Sequence, residues 1–451
     1  MPLPRKCYIW KNFYVQGIFD LSLILNGFPI GKARRELARV NSIPQNDFQA
    51  FDRARREELA KFHMAHNSFY KTLAGTDFKS WESLPVMTKR DLQRPLAERL
   101  SNGYGVNNVF VNKTSGSGGD PMVFAKDKFC HAIIWANIMR RFGWYGVDFN
   151  HSYQARFYGM PLDFLSNAKI RVKDFFARRY RFSIFDLSDK GLKRIVDGFQ
   201  RRKFDYINGY TNTIVLLAKY LRSQNIVLRD VCPTLKVCVT TSEMLFDEDR
   251  ELLKQWLGVP IVNEYGASEL DVIAFEHPDG RWLVNAETTY VEIVDDSGKP
   301  VPNGTEGRIV VTSLYNKAHP MIRYEVGDWG VLDESSTAKF PVLKSLTGRT
   351  NDLAVLPSGK KPAGMTFYSI TKKLFGDQGN VKEFVIRQIK LDTFEIVYTS
   401  EAALGSDEIR RIEKTLEQYL EPGLHFNFIR REKLERTKSG KLKQFESLID
   451  P

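Results

Sequence analysis

The chain has 451 residues, 43% of them hydrophobic and 12% aromatic, more apolar material than one core usually holds, which implies at least two packed domains. Lys and Arg number 66 against 54 Asp and Glu, a formal charge of +12, yet the basic residues sit in no nucleic-acid module with regularly spaced stacking aromatics, so nucleic acid is not an expected partner. No run approaches the roughly 20 uninterrupted apolar residues of a membrane span. No small-residue cleavage site follows the apolar stretch behind Arg5 and Lys6, so the expected location is the cytoplasm, with the inner membrane face open as a peripheral contact.

The stretch 14–25 holds Phe19 and Leu23 beside cations and is interrupted by Asp20; it reads either as a membrane-docking surface or as the first core helix. Residues 33–75 read as charged helices, and 80–99 as a connector with a short helix begun near Thr88. Val109-Phe110-Val111 signals a strand, and Lys113-Thr114-Ser115-Gly116-Ser117-Gly118-Gly119-Asp120-Pro121 follows it. Its three glycines let amide N–H groups approach a ligand closely, and the Thr114, Ser115 and Ser117 hydroxyls add donors, so the loop can wrap a polyphosphate. Taken alone, such a run is more often a flexible loop. Basic clusters at Arg34-Arg35 and over 53–56, 171–181 and 201–203 suit anionic lipid, acidic glycan or phosphate-bearing substrates, or else form solvated helix faces.

Trp135, Phe142, Trp144, Tyr145, Phe157, Tyr158 and Tyr210 either line an aryl or acyl pocket or fill the core. Cys7, Cys130, Cys232 and Cys238 give neither a disulfide framework nor a metal-ligand spacing. A strand over 235–239 runs into Thr240-Thr241-Ser242-Glu243, and another over 260–262 leads into Asn263-Glu264-Tyr265-Gly266-Ala267-Ser268-Glu269. Polar clusters just after strands are where α/β sheets build sites. Segments 291–294 and 307–313 predict a hairpin across Asp295-Asp296-Ser297-Gly298. After Gly348 the pattern restarts, with strands over 384–389, 394–398 and 425–429. Between them a helix over 406–420 has Ser406 as N-cap and Ile409, Ile412, Leu416 and Leu420 on one face. The fold class is therefore α/β, with a large unit over 1–347 of β-sheets flanked by helices and a small α/β unit over 348–451. Gly348-Arg349-Thr350-Asn351-Asp352 is the natural boundary.

In their order, these clusters resemble the adenylate-forming superfamily of acyl-CoA synthetases and related ligases over nearly the whole chain. Residues 114–121 resemble its phosphate loop, Tyr265-Gly266-Ala267-Ser268-Glu269 its aromatic-glycine-x-Thr/Ser-Glu motif, and Ile322-Arg323-Tyr324-Glu325-Val326-Gly327-Asp328 the segment that ends in a ribose-binding aspartate. Gly348-Arg349 is similar to the hinge, and Thr437-Lys438-Ser439-Gly440-Lys441 to the segment carrying the catalytic lysine. Asn208-Gly209-Tyr210-Thr211, Thr241-Ser242-Glu243 and Leu356-Pro357-Ser358-Gly359-Lys360 look most like the phenylacetate-CoA ligase group and its members associated with capsular polysaccharide biosynthesis.

The resemblance implies ATP-dependent activation of a small carboxylic acid as an acyl-adenylate, with pyrophosphate released. It implies that Thr114, Ser115, Gly116, Ser117, Gly118 and Gly119 hold the departing pyrophosphate. Lys441 is then the catalytic cation, with Lys438 and Lys443 as competitors, and Glu269 the catalytic carboxylate that holds Mg²⁺, a hard cation suited to carboxylate and phosphate oxygens. Asp328 and Arg349 bind ribose or phosphate, Tyr265 packs on adenine, and Ser242, Glu243, Gly266 and Ser268 complete the nucleotide site. A small mobile C-terminal domain first presents its lysine and then admits the acyl acceptor. The acceptor stays open between coenzyme A, an amine and a sugar hydroxyl. Two positions depart from the family pattern: Asp120 in the phosphate loop, unfavourable beside ATP phosphates unless it points away, and Asn351 at the hinge. A second reading is a catalytically degenerate nucleotide- or glycan-binding component of polysaccharide assembly.

Overall fold

The computed structural model describes residues 17–114, 121–159, 171, 174–349, 354–360, 362, 364–375, 380–437 and 440–449, with the main chain alone at 347–349, 365, 366 and 369. A two-stranded hairpin comes first, β1 (Phe110–Lys113) with β2 (Val123–Lys126). The largest sheet has the strands β3 (Gln154–Phe157), β4 (Arg179–Arg181), β5 (Tyr206–Tyr210), β6 (Val237–Thr241), β7 (Ile261–Ala267), β8 (Asp271–Glu276) and β9 (Trp282–Val284), in the spatial order β4-β3-β5-β6-β7-β8-β9. Strands β4 to β7 run parallel and β8 and β9 return antiparallel. An antiparallel sheet follows, of β10 (Thr289–Val294), β11 (Glu306–Ser313), β12 (Tyr324–Leu332) and β13 (Leu343–Arg349). The last sheet contains β14 (Val381–Lys390), β15 (Thr393–Ser400), β16 (His425–Arg430) and β17 (Phe445–Ser447), ordered β16-β15-β14-β17.

Every residue of β5 and β6 is buried, the pattern of central parallel strands covered by helices on both faces. One side packs Leu192, Ile195, Ile214, Leu217 and Leu253 around Ile207 and Cys238. Across the sheet, Phe142 from the helix Lys128–Gly143 meets Tyr206, Val239 and Phe275. The N-terminal helix Ile18–Leu25 turns Phe19 and Leu23 onto that same helix, beside Ala132 and Ile133. Its Asp20 is buried against Arg34 at 2.6 Å. The segment is thus a core helix on one face, while Ile18, Leu21, Ile24 and Leu25 look outward.

Residues 354–445 enclose a separate core of Phe367, Phe394, Ile396, Ile412, Leu416, Phe426 and Phe445, against which Phe246 of the preceding chain packs. An ion pair between Lys372 and Asp249 joins the two parts. The helix Ser406–Tyr419 is capped one residue earlier than expected: Gly405 is the N-cap, without a side-chain hydrogen bond, and Ser406 is already helical. The predicted hairpin forms between β10 and β11. The polar clusters expected just beyond two strands lie partly within them, because β6 extends through Thr241 and β7 through Ala267, where antiparallel pairing with β8 prolongs the strand, and Ser242, Glu243, Ser268 and Glu269 follow. Several basic clusters are neutralised internally: Arg55 and Arg56 pair with Asp52, and Arg179 and Arg181 with Asp174. Among the described residues no helix is long and apolar enough to cross a membrane.

Candidate active site

A cleft of about 600 Å³ opens at the carboxyl ends of the parallel strands, between them, β12 and residue 441. Such ends are where open α/β sheets place ligands, since the helices that follow leave a crevice there. Strand alternation sorts the residues of β7. Glu264 and Gly266 line the cleft, whereas Tyr265 turns the other way into the core and is 7% exposed. Tyr265, expected to pack on adenine, makes a supporting contact here: its hydroxyl donates to Asp328 Oδ2 at 2.8 Å. Asp328 itself lines the cleft. Gly266 admits no side chain, because a Cβ there would lie 2.2 Å from the Asp271 carbonyl oxygen. Ser268 and Glu269 follow on the wall, and Glu269, 8% exposed, accepts a hydrogen bond from the Tyr324 hydroxyl at 2.9 Å. Ser242 also lines the cleft, in a left-handed conformation at φ 69°, the kind of local strain that persists only where surroundings enforce it.

The hairpin β1–β2 brings the Gly-rich segment to this wall. Thr114 lines the cleft and is zipped to Met122 by two bonds, its N–H donating to the Met122 carbonyl and its hydroxyl accepting from the Met122 N–H, both at 2.9 Å. Ser115, Gly116, Ser117, Gly118, Gly119 and Asp120 lie outside the described residues. Lys126, at the end of β2 and 1% exposed, donates to Asp271 and reaches the Ser268 carbonyl at 3.5 Å, tying the hairpin to the β7–β8 turn. Neither this tie nor the rim residues Lys89 and Arg90 are visible as a motif. Arg349 stands directly opposite Asp328 in the β12–β13 ladder, its side chain beyond the described atoms, as is Asn351. Among the described residues no group of three His, Cys, Asp or Glu is placed to hold a metal. The single buried carboxylate of Glu269 still fits Mg²⁺, which keeps several waters and binds through one or two carboxylates plus substrate phosphates.

Lys441 lines the same cleft, its Nζ 5.6 Å from the centre of the Tyr210 ring. A tight turn sets it there: the Thr437 N–H donates to the Lys441 carbonyl at 3.0 Å, and the Lys441 N–H donates to the Thr437 hydroxyl at 3.1 Å. Gly440 takes φ 87° against Ile184, where a Cβ would lie 2.4 Å from Cδ1. The competitor Lys443 faces away, paired with Glu446 at 2.9 Å, and Lys438 lies outside the described residues. Glu243, expected at the nucleotide site, is placed elsewhere. It does not reach the nucleotide side of the cleft but accepts from the Leu442 N–H at 3.1 Å and the Asn212 N–H at 2.8 Å, fastening the lysine turn to the helix Thr211–Ser223. Burial raises its pKa, against the pull of those two amides.

The remaining wall is mixed. Gln154, Arg156 and Tyr158 alternate out of β3 toward the cleft, beside Asn208 and Glu264. Asn208 Oδ1 accepts from Gln154 Nε2 at 3.3 Å and the Tyr158 hydroxyl at 3.0 Å. Burial raises the Glu264 pKa to about 7, opposed by a hydrogen bond with Thr241 and by the charge of Arg156. Facing them are Trp135, Phe142 and Phe149. Of the aromatics expected as lining, Trp135, Phe142 and Tyr158 are on the wall, Tyr210 underlies Lys441, and Phe157 is buried in the core on the other face of β3.

The chain has the fold of the adenylate-forming ligases, with a large part of several sheets flanked by helices and a smaller C-terminal part. It superimposes on 2-hydroxyisobutyryl-CoA ligase, solved in the postadenylation state with an acyl-AMP, at a TM-score of 0.67 and 17% identity over 88% of this chain and 89% of the other. In sequence it is similar to Protein CapK of Staphylococcus aureus, 22% identical over 68% of this chain and 69% of that protein. It is also similar to a phenylacetate-coenzyme A ligase of Pseudomonas putida, 30% identical over 31% of this chain and 33% of the ligase, so the match spans about a third of that relative. No family model matches.

Proposed function

We propose that the protein is an adenylate-forming ligase that activates a carboxylic acid with ATP and passes the acyl group to a thiol such as that of coenzyme A. The observation that carries this reading is the convergence of Lys441, Asp328, Glu269 and Thr114, from four separate chain segments, on one cleft. A carboxylate is a poor electrophile, so its oxygen first attacks the α-phosphorus of ATP, and pyrophosphate leaves with the electrons of the broken P–O bond. The demand on the protein is to neutralise charge on the phosphate oxygens. Lys441 supplies a mobile point charge between the α-phosphate and the acid, Asp328 accepts hydrogen bonds from the ribose hydroxyls, and Glu269 would hold Mg²⁺, which would supply further positive charge to the reaction. In the second step a thiol sulfur attacks the acyl carbon, the bond to AMP breaks, and the thiol proton passes to solvent.

The working division is an adenylating part over 1–347 and a lysine-bearing part over 348–451, and a cytoplasmic setting, where ATP and coenzyme A are at hand, belongs to the same proposal. Use of the product in surface polysaccharide is its finest part, supported by the resemblance of 208–211, 241–243 and 356–360 to that branch. The test is exchange of labelled pyrophosphate into ATP across aryl, fatty, amino and hydroxy acids. Acid-dependent exchange that collapses in Lys441→Ala upholds the reading. ATP binding without exchange on any acid would favour a nucleotide-binding assembly component instead.

A further inference from the structure

The acid side of the cleft carries a guanidinium that, among the described residues, is in no ion pair. Arg156 lines the cavity, and its Nε is buried without a hydrogen-bond partner. Among the described residues no carboxylate lies within ion-pair distance of it, and its one close contact is the face of Tyr158, 4.1 Å from the ring centre. Its cationic neighbours are spoken for: Arg179 and Arg181 share Asp174 at 2.5 and 3.1 Å. Burial, with those two charges, lowers the Arg156 pKa to about 10, which leaves it charged at neutral pH. Glu264, on whose carboxyl the charge of Arg156 bears, has its own pKa raised to about 7 by burial. A buried ion without a partner costs several kcal/mol.

The geometry also separates this charge from the reacting centre. Lys441 Nζ sits 5.6 Å from the Tyr210 ring centre, Tyr210 lies 4.9 Å from Tyr158, and Arg156 covers Tyr158. Each of two neighbouring rings thus carries its own cation, and Trp135 and Phe142 line the same cleft. We infer that the acid taken by this cleft carries a second anionic group, a carboxylate or a phosphate, which pairs with Arg156 while the carboxylate to be activated meets Lys441. The inference rests on the acid-activating reading of the same cleft. It makes the substrate an acid with an anion at each end and an apolar span between.

Pyrophosphate exchange with matched acids tests it: phenylacetate against 4-carboxyphenylacetate, butyrate against succinate, and a phosphono acid of equal length, in wild type, R156M and R156K. In wild type a doubly anionic acid is favoured by at least about a hundredfold, because the monoacid leaves the guanidinium unpaired; whether the carboxylate or the phosphonate wins identifies the group. The preference collapses in R156M and partly returns in R156K, and R156M melts no lower than wild type. Equal or better exchange with the monoacids, or an undiminished preference in R156M, overturns the inference and leaves the ligase reading intact. If no acid supports exchange, calorimetric titration of the same acids separates the two ideas. Diacid or phosphono-acid binding that R156M abolishes upholds the second anion while adenylation fails, and absence of any such binding overturns it.

Discussion

The two walls of the cleft are built on opposite plans. On the nucleotide side each functional group is held by another part of the chain: Asp328 by Tyr265, Glu269 by Tyr324, Lys126 by Asp271, and the lysine turn by Glu243. On the acid side the amides of Gln154 and Asn208 are satisfied, but Arg156 is left to an outside partner. Preorganised donors and acceptors suit a ligand part that is always the same, since no reorganisation is needed at the moment of reaction. An unpaired charge suits the part that differs between relatives, because it makes one ligand chemistry far better than the rest.

The comparison can be broken at its strongest point first. Lys441→Ala should cost about 10²–10³-fold in pyrophosphate exchange with ATP binding nearly unchanged, as expected for removal of one group aimed at developing charge; a loss below tenfold would take the lysine out of the reaction. Next comes pH. Glu264 has a pKa of about 7 in the folded protein against an ordinary 4.5, so between those values the folded state keeps a proton that the unfolded chain has lost. Stability is then fullest below pH 4.5 and falls as pH rises to 7, by up to about 3 kcal/mol. Chemical denaturation across that range should show this decline for wild type and a flatter profile for Glu264→Gln. An equal slope in both would mean that the acid wall is wetter than its burial implies.

Asp328→Ala should raise the KM for ATP about 10- to 100-fold, from the loss of hydrogen bonds to a charged acceptor, with the acid preference untouched. Tyr265→Phe sharpens the contrast at the smallest scale. If Tyr265 only orients Asp328, losing its hydroxyl should cost about 1 kcal/mol, near fivefold in the same KM. A change in purine selectivity instead would return the ring to the base pocket.

How much of this could be read from the sequence divides along the same line. The nucleotide wall was legible because its chemistry demands particular residues in a set order, so Thr114, Ser268, Glu269, Asp328 and Lys441 arrive together on the cleft as expected. For Tyr265 and Glu243 the motif leaves the contacts open, because it does not state which way a side chain points once a strand runs through it. Strand alternation in β7 decides Tyr265, and the return of Leu442 across the chain decides Glu243. Arg156 was missed although a signal existed. In Gln154-Ala155-Arg156-Phe157-Tyr158 polar and apolar residues alternate, and a polar face on a covered central strand has to look into a cavity. The sheet orders were not legible, since β4 next to β3 and β17 next to β14 are set by packing between distant segments.

The turn that carries Lys441 has a consequence for exchange of parts between relatives. Its position is fixed by Gly440 against Ile184 and by Leu442 on Glu243, contacts that reach back more than a hundred residues before the proposed boundary near Gly348. A recombinant that joined a foreign C-terminal part at that boundary would inherit the lysine without its two abutments. The heritable module for this step is therefore discontinuous, and a graft should keep its register only when residues 184 and 243 travel with residues 437–442.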